Sequence, residues 1–108
     1  MTKEVIKVLF LQTHTWLLEK SADVGQVFVK VMQTPLPSYI KMIGPFVNIG
    51  GDGGKGCMVW DVEKGHENEG LLFVMKWIME YSNIGGQKFT LEQVLTGADA
   101  LPLVGLSM

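Results

Sequence analysis

Five of the seven residues from Gly50 to Gly56 are glycine, in the order Gly50-Gly51-Asp52-Gly53-Gly54-Lys55-Gly56. Each glycine in a helix interior costs roughly 1 kcal/mol relative to alanine, so no helix runs through this stretch. Its flanks, Phe46 to Ile49 and Cys57 to Val62, are rich in β-branched and aromatic residues and read as strands. Two strands joined by a glycine-rich turn make an antiparallel hairpin. Gly51, Gly53, Gly54 and Lys55 are therefore expected in a flexible connection, longer than most hairpin turns. Gly51, Gly53 and Gly56 also satisfy the dinucleotide pattern G-x-G-x-x-G. That pattern holds a pyrophosphate only where a helix N-terminus follows, and here a strand follows. A P-loop fails as well: Ile49 stands where its first glycine belongs, and Gly56 replaces the magnesium-binding Ser/Thr. A nest of backbone N–H groups around Lys55 is the one anion-binding role left to this loop.

The rest of the chain falls into alternating elements. Val5 to Leu11 reads as a strand that is apolar on both faces, hence central in its sheet. Thr13 to Lys20 reads as a connector. Val24, Val27, Phe28, Val31 and Met32 make one helical stripe, with Ser21 as N-cap and Pro35 and Pro37 beyond its end. Tyr39 to Ile43 and Phe46 to Ile49 form an extended region bent near Gly44-Pro45. Proline lacks the ladder donor, so this strand belongs at an edge or carries a bulge. Residues 67–84 are helical in pattern, with Leu71, Val74, Met75, Ile78 and Met79 as the core stripe. Leu72, Phe73 and Trp77 then fall on the outer side, where a neighbouring subunit would cover them. Gln87 to Leu95 alternates as a last strand; a capping box from Thr90 to Gln93 makes a short helix the rival reading. The tail turns near Thr96 to Leu101 and ends in the apolar Leu103-Val104-Gly105-Leu106.

The resulting order, β-α-β-β-α-β, is that of the ferredoxin-like α+β unit, a four-stranded antiparallel sheet with two helices on one face. Strands apolar on both faces leave the second sheet face uncovered in a single copy. A homodimer packed face to face resolves this, and the apolar second helix allows higher oligomers. The run from Phe46 to Val62, the acidic second helix and Phe89-Thr-Leu-Glu-Gln-Val-Leu95 together resemble the dimeric α+β barrel superfamily. More narrowly, they are similar to a family of short prokaryotic proteins of unknown function that share a glycine-rich link between strands two and three. The resemblance covers roughly residues 7–100 and implies the fold and the dimer. The wider superfamily includes cofactor-independent monooxygenases, haem-degrading enzymes, muconolactone isomerases and ligand-sensing domains, so it implies no single activity.

Composition bounds the functions. At 108 residues the chain is expected to form a single domain over 1–108. Only 19% of residues are charged, the net charge is −2, and all nine cations are lysines. Without arginine forks or a basic cluster, nucleic acid is not an expected partner. No apolar run approaches the roughly 18 residues of a membrane span. A single cysteine, Cys57, suits a reducing compartment and reads as a small buried hydrophobe, and the expected location is cytoplasmic.

Few residues carry chemistry. His14 is the candidate acid–base group, because imidazole titrates near neutrality. Gln12, Asn48, Trp60, Asp61 and Tyr39 are its candidate partners in a ligand pocket, with Trp16, Trp77 and Tyr81 available as aromatic walls. His66 with Glu67 or Glu69 lacks the spacing of a metal site, and no cofactor is expected. The leading expectation is a homodimeric module binding an apolar or aromatic small molecule between sheet and helices. A cofactor-independent oxygenase- or isomerase-like enzyme and a structural oligomerisation protein are the alternatives.

Overall fold

The computed structural model describes residues 7–107. Their order is β1 (Lys7–Trp16), a 3-10 turn (Leu18–Lys20), α1 (Ser21–Val31), β2 (Ile40–Gly50), β3 (Gly53–Glu63), α2 (Glu67–Met79), β4 (Lys88–Val94), α3 (Gly97–Ala100) and a second 3-10 turn (Leu101–Val104). The four strands make one open antiparallel sheet in the order β2-β3-β1-β4. The architecture is α+β and compatible with a ferredoxin-like fold. Val5 and Ile6, expected to begin the first strand, lie outside the described residues.

Strand register assigns the two faces. Val8, Phe10, Gln12, His14 and Trp16 of β1 stand opposite Val62, Trp60, Met58, Gly56 and Gly54 of β3. This face carries the buried core, which continues into Val24 and Val31 of α1, Val74 and Trp77 of α2, and Tyr81 and Ile84 beyond it. Trp60 sits at its centre with no exposed surface, its ring 5.3 Å from that of Trp77 in a T-shaped contact. At Gly70 the helix comes so close to the sheet that a Cβ would lie 2.7 Å from a methyl of Val62.

Several expectations are corrected. The segment from Thr13 to Trp16 is strand rather than connector: it pairs with β3 on one side and, through Thr15, with β4 on the other. Most of the glycine stretch is strand as well. Gly50 pairs with Gly53, so the connection shrinks to Gly51-Asp52. The reason is Trp16, whose indole lies where a side chain at position 54 would be; a Cβ there would sit 2.0 Å from Trp16 Cε2. Gly53 likewise faces the Trp16 carbonyl, and its φ of +112° is a conformation that glycine adopts freely. Gly53 and Gly54 thus make room for an indole, whereas Lys55 points to solvent.

On α2 the stripe is rotated from the expected one. Trp77 is buried and Phe73 half-buried, while Leu72, Met75 and Met79 are exposed. The close approach at Gly70 sets this rotation, because Val74 and Trp77 follow it on one face of the helix. Ser21 is the first helical residue rather than the cap, and Met32 and Cys57 are exposed. The bend at Gly44-Pro45 is a bulge in edge strand β2. Residues 88–94 are strand, not helix, because they pair with β1.

The shape is elongated. The radius of gyration is 16.0 Å, and the longest extent is 53 Å. A compact domain of this length has a radius near about 13 Å. The β2–β3 ribbon contributes to this, with Phe46, Val47 and Ile49 more than half exposed. Among the described residues, no helix is long and apolar enough to cross a membrane.

Candidate functional site

The helix-facing side of the sheet holds a cavity of about 200 Å³. Its floor is the second half of β1, namely Gln12, His14 and Trp16, together with Met58 of β3. Val24 and Phe28 of α1, Trp77 of α2 and Tyr81 just beyond it also line the cavity, with the Phe28 and Trp77 rings edge-on at 6.3 Å, as do Val47 and Ile49 of the β2–β3 ribbon. No lysine, aspartate or glutamate lines it. Engineered cavities of about 150 Å³ accept benzene, so this one has room for a small aromatic molecule.

Its polar groups are few and held in place. Trp60 Nε1 donates to Gln12 Oε1 at 2.8 Å, which anchors the Gln12 amide beneath the cavity. Trp16 Nε1 donates to Ser21 Oγ at 3.0 Å and ties the cavity floor to the start of α1. His14 is buried, stacks on Phe89 with ring centroids 3.8 Å apart, and meets Tyr81 edge-on at 5.2 Å. His14 Nε2 donates to Gln87 Oε1 at 2.9 Å, and Gln87 Nε2 donates to the backbone carbonyl of Tyr81. Burial pushes the imidazole pKa below its ordinary 6.5, and the Gln87 bond opposes this to a lesser degree. Burial also raises the Tyr81 phenol, so both groups are neutral at neutral pH.

The structure brings only some of the expected residues together. His14 and Gln12 share the cavity wall, and Trp60 supports Gln12 from below. Asn48 lies on the other side of the sheet with Lys55, around a wider depression of about 390 Å³ that also includes Phe46 and Cys57. Asp61 is buried on that side too, in register with Leu9 and Lys41. Tyr39 is remote from the cavity; it stacks on His66 at 4.4 Å, and His66 in turn meets Glu69 at 2.9 Å. Gly51 is an exposed turn residue. Among the described residues, no group of three or more His, Cys, Asp or Glu side chains is placed to hold a metal ion.

Gln87 and Phe89, which hold the His14 ring, had no part in the candidate set. Phe89 fell within the expected last strand, Gln87 to Leu95, without a role assigned to it. Gln87 sits just before β4, and no local pattern connects it to a histidine 73 positions earlier. No known family model matches this chain, and no curated protein matches it.

Proposed function

We propose that this protein is a small-molecule-binding module, holding an apolar or aromatic ligand in the cavity between the sheet and α1 and α2. The observation that carries this reading is an uncharged cavity walled by Trp16, Phe28, Trp77 and Tyr81, with Gln12 and His14 as fixed polar points. Such a mix of apolar walls and few oriented polar groups is the usual make-up of a ligand site.

The same reading takes the fold as a ferredoxin-like unit working as a homodimer. In support, β3 lies between β1 and β2, and β1 between β3 and β4, which is the split β-α-β arrangement. It is not a plain one, since the long β2–β3 ribbon, α3 and the final 3-10 turn are additions. The sheet face away from the helices carries Leu9, Leu11, Val59, Ile43 and Phe46, the last 64% exposed. A second copy of that face would cover it. The exposed Leu72, Met75 and Met79 of α2 offer a further contact for higher assemblies. The lone exposed cysteine suits a reducing, cytoplasmic setting.

Native mass spectrometry of gently purified protein tests both parts. The expected result is twice the 12.0 kDa chain mass plus a reproducible small adduct. A monomer, together with failure of every apolar ligand to bind, would refute the reading. A second reading, a proton-transfer enzyme, is favoured by the clamped His14 ring in the cavity wall. For any substrate identified from the adduct, His14→Ala would then abolish turnover, and unchanged turnover would remove His14 from the mechanism.

A further inference from the structure

The polar contacts around His14 fix more than its position. A backbone carbonyl only accepts, so the Tyr81 carbonyl obliges Gln87 to turn its NH₂ group toward it. The Gln87 oxygen is thereby presented to His14, and an amide oxygen also only accepts. His14 Nε2 must therefore carry the ring proton. In the neutral ring, Nδ1 is then a bare lone pair. No bond to another described residue occupies Nδ1, and no buried side-chain nitrogen or oxygen among the described residues is left without a partner. Nδ1 is therefore not sealed off from its surroundings, and His14 is one of the residues that line the cavity.

Resting on the small-molecule reading above, we infer that the ligand is an uncharged flat aromatic molecule carrying a hydrogen-bond donor, a phenol-type hydroxyl, which His14 Nδ1 accepts. The aromatic walls select the frame, and the bare nitrogen selects the donor. The same cavity discriminates against carboxylates, because no lysine lines it and an anion would lose its water without compensation.

The test is calorimetric titration of the intact protein at neutral pH with naphthalene, 1-naphthol and 1-naphthoate. A net hydrogen bond contributes about 0.5–1.5 kcal/mol, so 1-naphthol is expected to bind about two- to tenfold more tightly than naphthalene. The naphthoate is expected to bind most weakly. In a His14→Phe variant the naphthol preference should vanish while naphthalene still binds. Equal affinity of wild-type protein for naphthol and naphthalene would overturn the inference and leave the cavity reading standing. Absence of binding by all three would overturn both. The ring nitrogens of wild-type His14, read by nitrogen-15 NMR, give a check that needs no variant. A protonated Nε2 with a bare Nδ1 supports the inference, and the opposite tautomer overturns it.

Discussion

Replacing Gly54 by alanine tests the claim that the glycine stretch exists to seat an indole. The added Cβ would lie 2.0 Å from Trp16 Cε2, 2.2 Å from Nε1 and 2.3 Å from Cζ2. These atoms belong to a rigid ring that is buried and tied through Nε1 to Ser21. Either this ring or the β3 backbone must shift, and a shift of the ring strains that hydrogen bond. Overpacking of this kind costs about 1–3 kcal/mol, and breaking that bond about 0.5–1.5 kcal/mol. Alanine recovers about 0.5–1 kcal/mol over glycine within a strand. The net expectation is a loss of about 2 kcal/mol, a large share of the roughly 5–15 kcal/mol by which domains are stable. Gly51 is the internal control. Nothing lies within 4 Å of a Cβ built there and its φ is not positive, so Gly51→Ala should change stability by less than about 0.5 kcal/mol. Urea unfolding followed by tryptophan fluorescence, with both variants and the parent at one protein concentration, reads the difference. Equal midpoints for the two variants, with equal slopes, would refute the packing argument.

Three further outcomes follow from the same contacts. Gln12→Leu strands the indole N–H of Trp60 in the core and should cost about 1–3 kcal/mol; adding Trp60→Phe should recover part of that loss in the same unfolding assay. Stability should fall as pH drops below 6.5 toward the lowered folded pKa of His14, because the unfolded chain binds that proton more readily than the native state does. The groups packed against the His14 ring are Trp16, Tyr81, Phe89 and Gln87, and only Tyr81 among them titrates, far above this range; a His14→Phe variant should flatten this part of the pH profile. Gly70→Ala, whose Cβ would meet Val62 at 2.7 Å, should destabilise by about 1–3 kcal/mol even though alanine is the better helix former, as thermal unfolding would show.

The order and type of the main elements were legible from local signals: β-branched runs, the Val24 to Val31 stripe, Pro45 at an edge strand. Contacts distant in sequence were not. Taking Thr13 to Lys20 as a connector hid the alternation that runs through Phe10, Gln12, His14 and Trp16, all on one face of β1. Polar residues at inward positions weakened the apparent strand, although Gln12 and His14 are buried there with partners. The same misreading made the glycines look like a loose loop, because nothing near them in sequence supplies the indole that fills their side-chain space. On α2, leucine and methionine positions suggested a stripe that Gly70 and Trp77 overrule, since the small residue allows close contact with Val62 and the large one reaches Trp60. Of the cavity's lining, Gln12, His14, Trp16, Trp77 and Tyr81 were legible as candidates, whereas the long-range contacts that bring them together were not.

The cavity as a binding site is tested most directly by proton–nitrogen NMR spectra of the protein titrated with naphthalene. Trp16 and Trp77 line the cavity, whereas the Trp60 indole N–H is engaged by Gln12 beneath it. Saturable shifts at the indole signals of Trp16 and Trp77, larger than at Trp60, are the predicted result. Shifts confined to the exposed face of α2 around Leu72, Met75 and Met79, or no shifts at any indole, would contradict it.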